Sequence, residues 1–120
     1  MDDLISIIVP IFNETPEELS LTFSSILNQT YENIEVILID DGSTNDIDSF
    51  CKKYVKANKK FFYYKKQNKG VSSARNFGLL HANGKFVMFV DAGDWIEKDC
   101  VFFAVNKIII EQVDLIGWNH

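Results

Sequence analysis

The chain is poor in the residues that build covalent or metal-bound frameworks. Its 120 residues include two cysteines, two histidines and two prolines. Cys51 and Cys100 are too few and too far apart for a disulfide scaffold or a zinc site, and both read as thiols at the core edge in a reducing compartment. His81 and His120 are isolated, with no metal-ligand partner at helical spacing. No apolar run reaches the roughly 18 residues of a membrane span, and no basic-then-apolar leader precedes Leu4. These absences lead us to expect a soluble, cytoplasmic portion, and leave open a peripheral membrane association through a C-terminal part. A basic surplus is lacking as well: the net charge is −5, which argues against a nucleic-acid partner. The lysines crowded between Lys52 and Lys69 read mostly as a solvated helix face and its following loop. What is present is ordinary core material. Hydrophobic residues make up 47% of the chain, with ten Phe and four Tyr, enough for one domain around one core.

The apolar patterning alternates between two periods. Leu4–Val9 is a β-branched run closed by Pro10, and Ile34–Ile39, Phe61–Tyr64 and Phe86–Val90 read as further strands. Thr15-Pro16-Glu17-Glu18 is a helix start with a capping box and a proline in the first turn. Leu19, Phe23, Ile26 and Leu27 follow at helical spacing, and Asn28-Gln29-Thr30 ends that helix. A second helix is expected from about Asp46, with Ile47, Phe50, Tyr54 and Val55 on one face. A third, from Val71 to Ala82, carries Ala74, Gly78 and Ala82 on one side, small enough to approach a sheet closely. A last helix around Val101–Glu111 precedes a short strand, Asp114–Trp118. Strand–helix alternation predicts an α/β fold, a mostly parallel Rossmann-like sheet with helices on both faces. Right-handed crossovers then bring every strand-to-helix turn to one sheet edge, where ligands bind.

Four of those turns carry chemistry. Pro10-Ile11-Phe12-Asn13-Glu14 offers an aromatic ring that can stack on a flat base and polar groups that can bond to it. Its plainer alternative is a turn with a hydrophobic contact. Asp40-Asp41-Gly42-Ser43 places two carboxylates at the end of an apolar strand. One can organise the loop while the other bonds a nucleobase imide or a ribose; an Asx-turn is the alternative. Lys69-Gly70-Val71-Ser72-Ser73-Ala74-Arg75-Asn76 opens a helix whose free N–H groups, beside Lys69 and Arg75, suit a phosphate. Asp91-Ala92-Gly93-Asp94 offers hard oxygen ligands for Mg²⁺ or Mn²⁺ bridging to a diphosphate, or a turn in which Asp94 caps a helix.

Taken in order, Ile7–Glu14, Ser25–Tyr31, Asp40–Thr44, Asn68–Asn76 and Phe89–Trp95 resemble the N-terminal half of family 2 glycosyltransferases. Those are inverting enzymes of the GT-A fold that use nucleotide-sugar donors. The resemblance covers nearly the whole chain, and it implies that residues 1–120 form a nucleotide-sugar-binding portion, truncated before the acceptor-binding part. It implies that Pro10, Phe12, Glu14, Asp40, Asp41, Lys69, Arg75 and Asp91 bind the donor, with Asp41 on uracil in uridine-diphosphate users. It also implies a divalent cation, Mn²⁺ or Mg²⁺, on Asp91 and Asp94, and a saccharide or lipid-linked acceptor. The family's D-x-D motif would place a second carboxylate at position 93, where this chain has Gly93. The catalytic base is expected beyond His120, since Asp99, Glu111 and Asp114 lack the matching context.

Two other readings compete. A phosphoacceptor receiver domain shares the length and alternation, but expects an acidic pair after its first strand, where this chain has Pro10-Ile11-Phe12-Asn13. A non-catalytic nucleotide-binding module with a decayed D-x-D finds its support in Gly93.

Overall fold

The computed structural model describes the backbone of residues 3–111 and the side chains of residues 3–107. Four strands and four helices alternate: β1 (Ile5–Ile11), α1 (Pro16–Leu27), β2 (Ile34–Asp40), α2 (Asp48–Ala57), β3 (Phe61–Lys65), α3 (Val71–His81), β4 (Phe86–Phe89) and α4 (Cys100–Glu111). The expected strand Asp114–Trp118 lies outside the described residues. The sheet order is β3-β2-β1-β4, and all three pairings are parallel. No helix among the described residues is long and apolar enough to cross a membrane.

Strand periodicity divides the core in two. Ile5, Ile7, Val9 and Ile11 of β1, with Val36 and Leu38 of β2, face one way and pack on Leu19, Phe23 and Ile26 of α1, Cys51 of α2 and Val101 of α4. Ile8, Ile37, Ile39 and Val87 face the other way, onto Ala74 of α3. Because β1 and β2 are covered on both faces, they read as unbroken apolar runs. Gly78 is what lets α3 come down so far: a Cβ there would stand 2.6 Å from Ile8 Cγ2.

Two boundaries and the burial of one cysteine depart from expectation. β1 continues through Pro10 to Ile11. Ile8 O accepts from the Val90 amide, and two residues on, the position of Pro10 faces the same side. The β1–β4 pairing ends at Ile8↔Phe89, so no ladder bond is lost there. α2 begins at Asp48 rather than Asp46, because Thr44 and Asn45 are engaged with the loop after β1: Thr44 N donates to Asn13 Oδ1 at 2.7 Å, and Asn45 Nδ2 to Glu14 O at 2.9 Å. Cys51 lies fully inside the core rather than at its edge; burial pushes its thiol up to about 12. The capping box of α1 is present as expected, Glu18 N to Thr15 Oγ1 at 3.1 Å and Thr15 N to Glu18 Oε1 at 2.9 Å.

Candidate functional site

Parallel strands bring their C-terminal ends to one edge, and a cleft of about 530 Å³ opens there. It is lined by Pro10, Phe12 and Glu14 after β1, Asp41 after β2, Asn68 and Gly70 after β3, Arg75 on α3 and Asp91 after β4. Six of the nine residues expected at a site therefore line one cleft. The other three stand apart. Asp40 is buried beneath the cleft, Lys69 contributes its backbone rather than its side chain, and Asp94 lines a shallower depression with Asp91 and Trp95.

Asp40 and Asp41 part company because successive residues of a strand point to opposite faces. Asp40, fully buried, accepts from Ser43 N at 2.9 Å and from the Tyr63 hydroxyl at 3.0 Å, and so shapes its own loop. Asp41 turns toward α3. Its Oδ1 accepts from Lys66 Nζ at 2.9 Å and Lys69 N at 3.0 Å, and its Oδ2 accepts from Gly70 N at 2.8 Å. Burial alone would push the Asp41 carboxyl up, but the bonds from Lys66 and the two amides outweigh it and hold the group below the usual carboxylate range. Gly42, at φ 75°, makes the turn possible; a Cβ there would stand 2.7 Å from Asn68 N.

The loop after β1 is tied to this one. Asn13, at φ 62°, donates its amide to Ser43 Oγ at 3.0 Å, and asparagine is among the few residues that tolerate that conformation. Phe12 keeps its ring 46% exposed over the cleft. Its amide donates to Glu14 Oε1 at 2.7 Å. Partial burial raises the Glu14 carboxyl above its ordinary value against the effect of that bond.

Across the cleft, Arg75 Nη2 meets Asp91 Oδ1 at 3.1 Å, and the guanidinium lies 5.5 Å from the centre of the Phe89 ring. Arg75 Nε is buried without a hydrogen-bond partner. A guanidinium half-used in this way retains donors for an anion. At the acidic turn, Asp94 N donates to Asp91 O at 3.1 Å and Gly93 has φ 95°, the positive φ that a type II turn requires at its third residue. Gly93 thus stands where the D-x-D pattern expects aspartate because the turn needs a glycine. The second carboxylate follows it, at Asp94. The nearest following helix begins at Cys100, so Asp94 does not cap one.

Several residues that matter here were not singled out from the sequence. Lys66 belongs to the run of lysines that reads as solvated, yet its side chain is only 12% exposed and pairs with Asp41. The pairing follows from strand register, which the sequence alone does not give: Asp40 pairs with Lys65, so the next residues, Asp41 and Lys66, are neighbours. Thr22 and Ser25 on α1, with Gln29 just past its end, form a polar stripe that holds the loop after β4. Thr22 Oγ1 accepts from Gly93 N at 2.8 Å, Ser25 Oγ from Ile96 N at 3.1 Å and Gln29 Oε1 from Val101 N at 3.0 Å. Their spacing of three and four on an otherwise apolar helix face was the clue.

A parallel sheet with an acidic, aromatic and cationic cleft at its C-terminal edge defines an α/β protein whose ligand site lies at the strand ends. A family model described as "Glycosyl transferase family 2" matches residues 6–118, and the chain belongs to that family. It is 39% identical over 120 residues to glycosyltransferase GlyA of Streptococcus pneumoniae serotype 4, covering 100% of this chain and 17% of that relative. Its fold is similar to that of S. aureus TarS solved in complex with UDP, with a TM-score of 0.77 and 29% identity over 88% of this chain and 32% of that one. It is also similar to the mannosyltransferase PcManGT from Pyrobaculum calidifontis in complex with GDP-Man and Mn²⁺, with a TM-score of 0.79 and 26% identity over 87% of this chain and 32% of that one. The GT-A fold and the glycosyltransferase family read from the motifs are both upheld.

Proposed function

We propose that the chain is the donor-binding portion of an inverting glycosyltransferase, which moves a sugar from a nucleotide-diphosphate sugar to an acceptor hydroxyl, as in cell-surface polysaccharide synthesis. The observation that carries this reading is the convergence of Phe12, Asp41, Arg75 and Asp91 on one cleft. Pro10 and the Phe12 ring form the apolar wall against which a base stacks. Asp41 is an acceptor fixed for an N–H on the edge of that base, with Asp40 holding its loop from below. Arg75, with Nε and part of its fork unused, receives the diphosphate beside the free amides that open α3. Lys69, exposed at the rim, adds positive charge there. Uridine diphosphate is the nucleotide of first choice, supported by the UDP complex of the TarS neighbour.

A divalent cation, Mn²⁺ or Mg²⁺, fits the donor set of the acidic turn. Asp91 and Asp94 offer hard carboxylate oxygens, and no group of three or more potential ligands occurs among the described residues. Such an ion is typically held by one or two carboxylates and the substrate's own phosphates. Bound there, it would neutralise charge on the departing diphosphate. Inverting transfer also needs a base to take the acceptor proton. Glu14 and Asp41 are engaged with backbone amides, Asp91 with Arg75, and Asp99 with Thr30 Oγ1 at 2.8 Å. Following the family resemblance, we assign the base, and the site for a saccharide or lipid-linked acceptor, to residues beyond His120. The non-catalytic reading retains Gly93 as its only support, and turn geometry accounts for that residue without it.

Thermal unfolding with uridine diphosphate, with and without Mn²⁺, tests the proposal. Ligand at one hundred times its Kd should stabilise the protein by about 2.7 kcal/mol, with the metal required, and Asp41→Ala should abolish the effect. Stabilisation indifferent to metal would favour the non-catalytic module.

A further inference from the structure

We propose that Lys66 is a positioning residue for base recognition: it pins the Asp41 carboxylate beneath the Asn68–Gly70 segment and keeps it an acceptor, so that the cleft selects bases presenting an N–H. This rests on the nucleotide-binding reading above and concerns the same site.

The placement of Lys66 is dictated by the backbone. Its amide donates to Asp40 O at 2.9 Å, extending the β2–β3 ladder one residue beyond β3. From there its ammonium reaches Asp41 Oδ1 at 2.9 Å and Gln67 O at 2.8 Å. The two side chains are 12% and 4% exposed, so this is a desolvated pair rather than a screened surface contact. Asn68 Nδ2 completes the cradle by donating to Asp41 O at 3.0 Å.

The other charges around Asp41 do not replace this cation. Asp40, next in the chain, is turned to the opposite face. Glu14, Arg75 and Asp91 line the same cleft, and Arg75 is paired with Asp91. From the segment above come uncharged donors, the backbone amides of Lys69 and Gly70 and the Asn68 side-chain amide, which reaches Asp41 Oδ2 at 3.5 Å. Glu14 and Asp91 would both favour a protonated Asp41 once Lys66 is gone. A protonated carboxyl presents a donor, and an ionised one only acceptors. Uracil offers an N–H at the ring position where cytosine offers a lone pair. Lys66 therefore acts on base choice without touching the base.

The test compares Lys66→Met with Lys66→Arg, measuring affinity for uridine diphosphate and cytidine diphosphate across pH. The wild-type protein should prefer uridine diphosphate. Lys66→Met should lose about tenfold of that preference, near 1.4 kcal/mol, and its acid limb should move toward neutral pH. Lys66→Arg should restore both. Equal loss for the two nucleotides, with an unchanged pH profile, would overturn the proposal. A nuclear magnetic resonance titration of the Asp41 carboxyl carbon needs no nucleotide. Its midpoint should rise in Lys66→Met, and an unmoved midpoint would overturn the proposal even if the protein bound no nucleotide at all.

Discussion

Adjacent residues on a strand end experience different surroundings, and the pair Asp40-Asp41 shows how far that can go. Asp40 is consumed by Ser43 and Tyr63 within the fold, while Asp41 faces the cleft wrapped in donors. The donors leave a pH signature. In the folded protein Asp41 lies below its ordinary value, and so does Asp48, which receives hydrogen bonds from Lys52 and Tyr63. The one Tyr63 proton is shared between Asp40 and Asp48. A lowered folded value means that the unfolded chain binds protons more readily. The stabilisation is complete above the unfolded value, about 3.9 for Asp, and is lost as pH falls through the folded one. Acid titration of unfolding should therefore show stability falling below about pH 4, with the slope reduced in Asp41→Asn. Gly93 supplies a second prediction at this scale. Its φ of 95° disfavours any Cβ, although the nearest heavy atom to one would be Glu18 Oε2 at 3.6 Å. Gly93→Asp, which would write the family's usual D-x-D into the turn, should cost about 1–2 kcal/mol by denaturant unfolding. A neutral or stabilising result would show that turn geometry is not what excludes aspartate there.

Helices here do more than cover the sheet. α1 buries Leu19, Phe23 and Ile26 against it, and from its adjoining side it anchors the loop that bears the acidic turn. Gly93 N donates to Thr22 Oγ1, which donates in turn to Asp94 O, and with the bonds from Ile96 N to Ser25 and from Val101 N to Gln29 these fix that loop at four points. Thr22→Val keeps the side-chain shape but removes the hydroxyl. Amide hydrogen exchange should then quicken at Gly93 while Val101 stays protected; unchanged exchange at Gly93 would mean that the loop is held by other means. The far edge of the sheet has its own polar anchor. Buried Glu35 accepts from Ser6 Oγ at 2.5 Å and Asn83 N at 2.6 Å, locking the α3–β4 turn to β1 and β2. No periodicity argument reveals such a residue, because a lone glutamate inside an apolar run looks like an interruption of it.

At the scale of the whole molecule, the sequence was most legible where chemistry and period agreed. The four strands, the capping box of α1 and the small face of α3 followed from side-chain spacing, and the common edge of the loops followed from parallel topology. What could not be read were pairings that depend on register across strands, such as Lys66 with Asp41, and on contacts between a helix and a distant loop. Charge told a similar story. The net of −5 conceals a segregation in which residues 49–90 carry ten of the twelve Lys and Arg and none of the seventeen Asp and Glu. The cleft draws Arg75 from that basic stretch and Glu14, Asp41 and Asp91 from either side of it, so cation and carboxylates meet across a seam built by topology. On the proposed reading, a nucleotide binds at this seam. Amide chemical-shift mapping during titration with uridine diphosphate and Mn²⁺ tests it directly. The largest perturbations are expected at Phe12, Asp41, Gly70, Val71, Arg75 and Asp91. Perturbations centred on the opposite edge, around Gln29, Tyr31 and Lys60, or none anywhere, would contradict it.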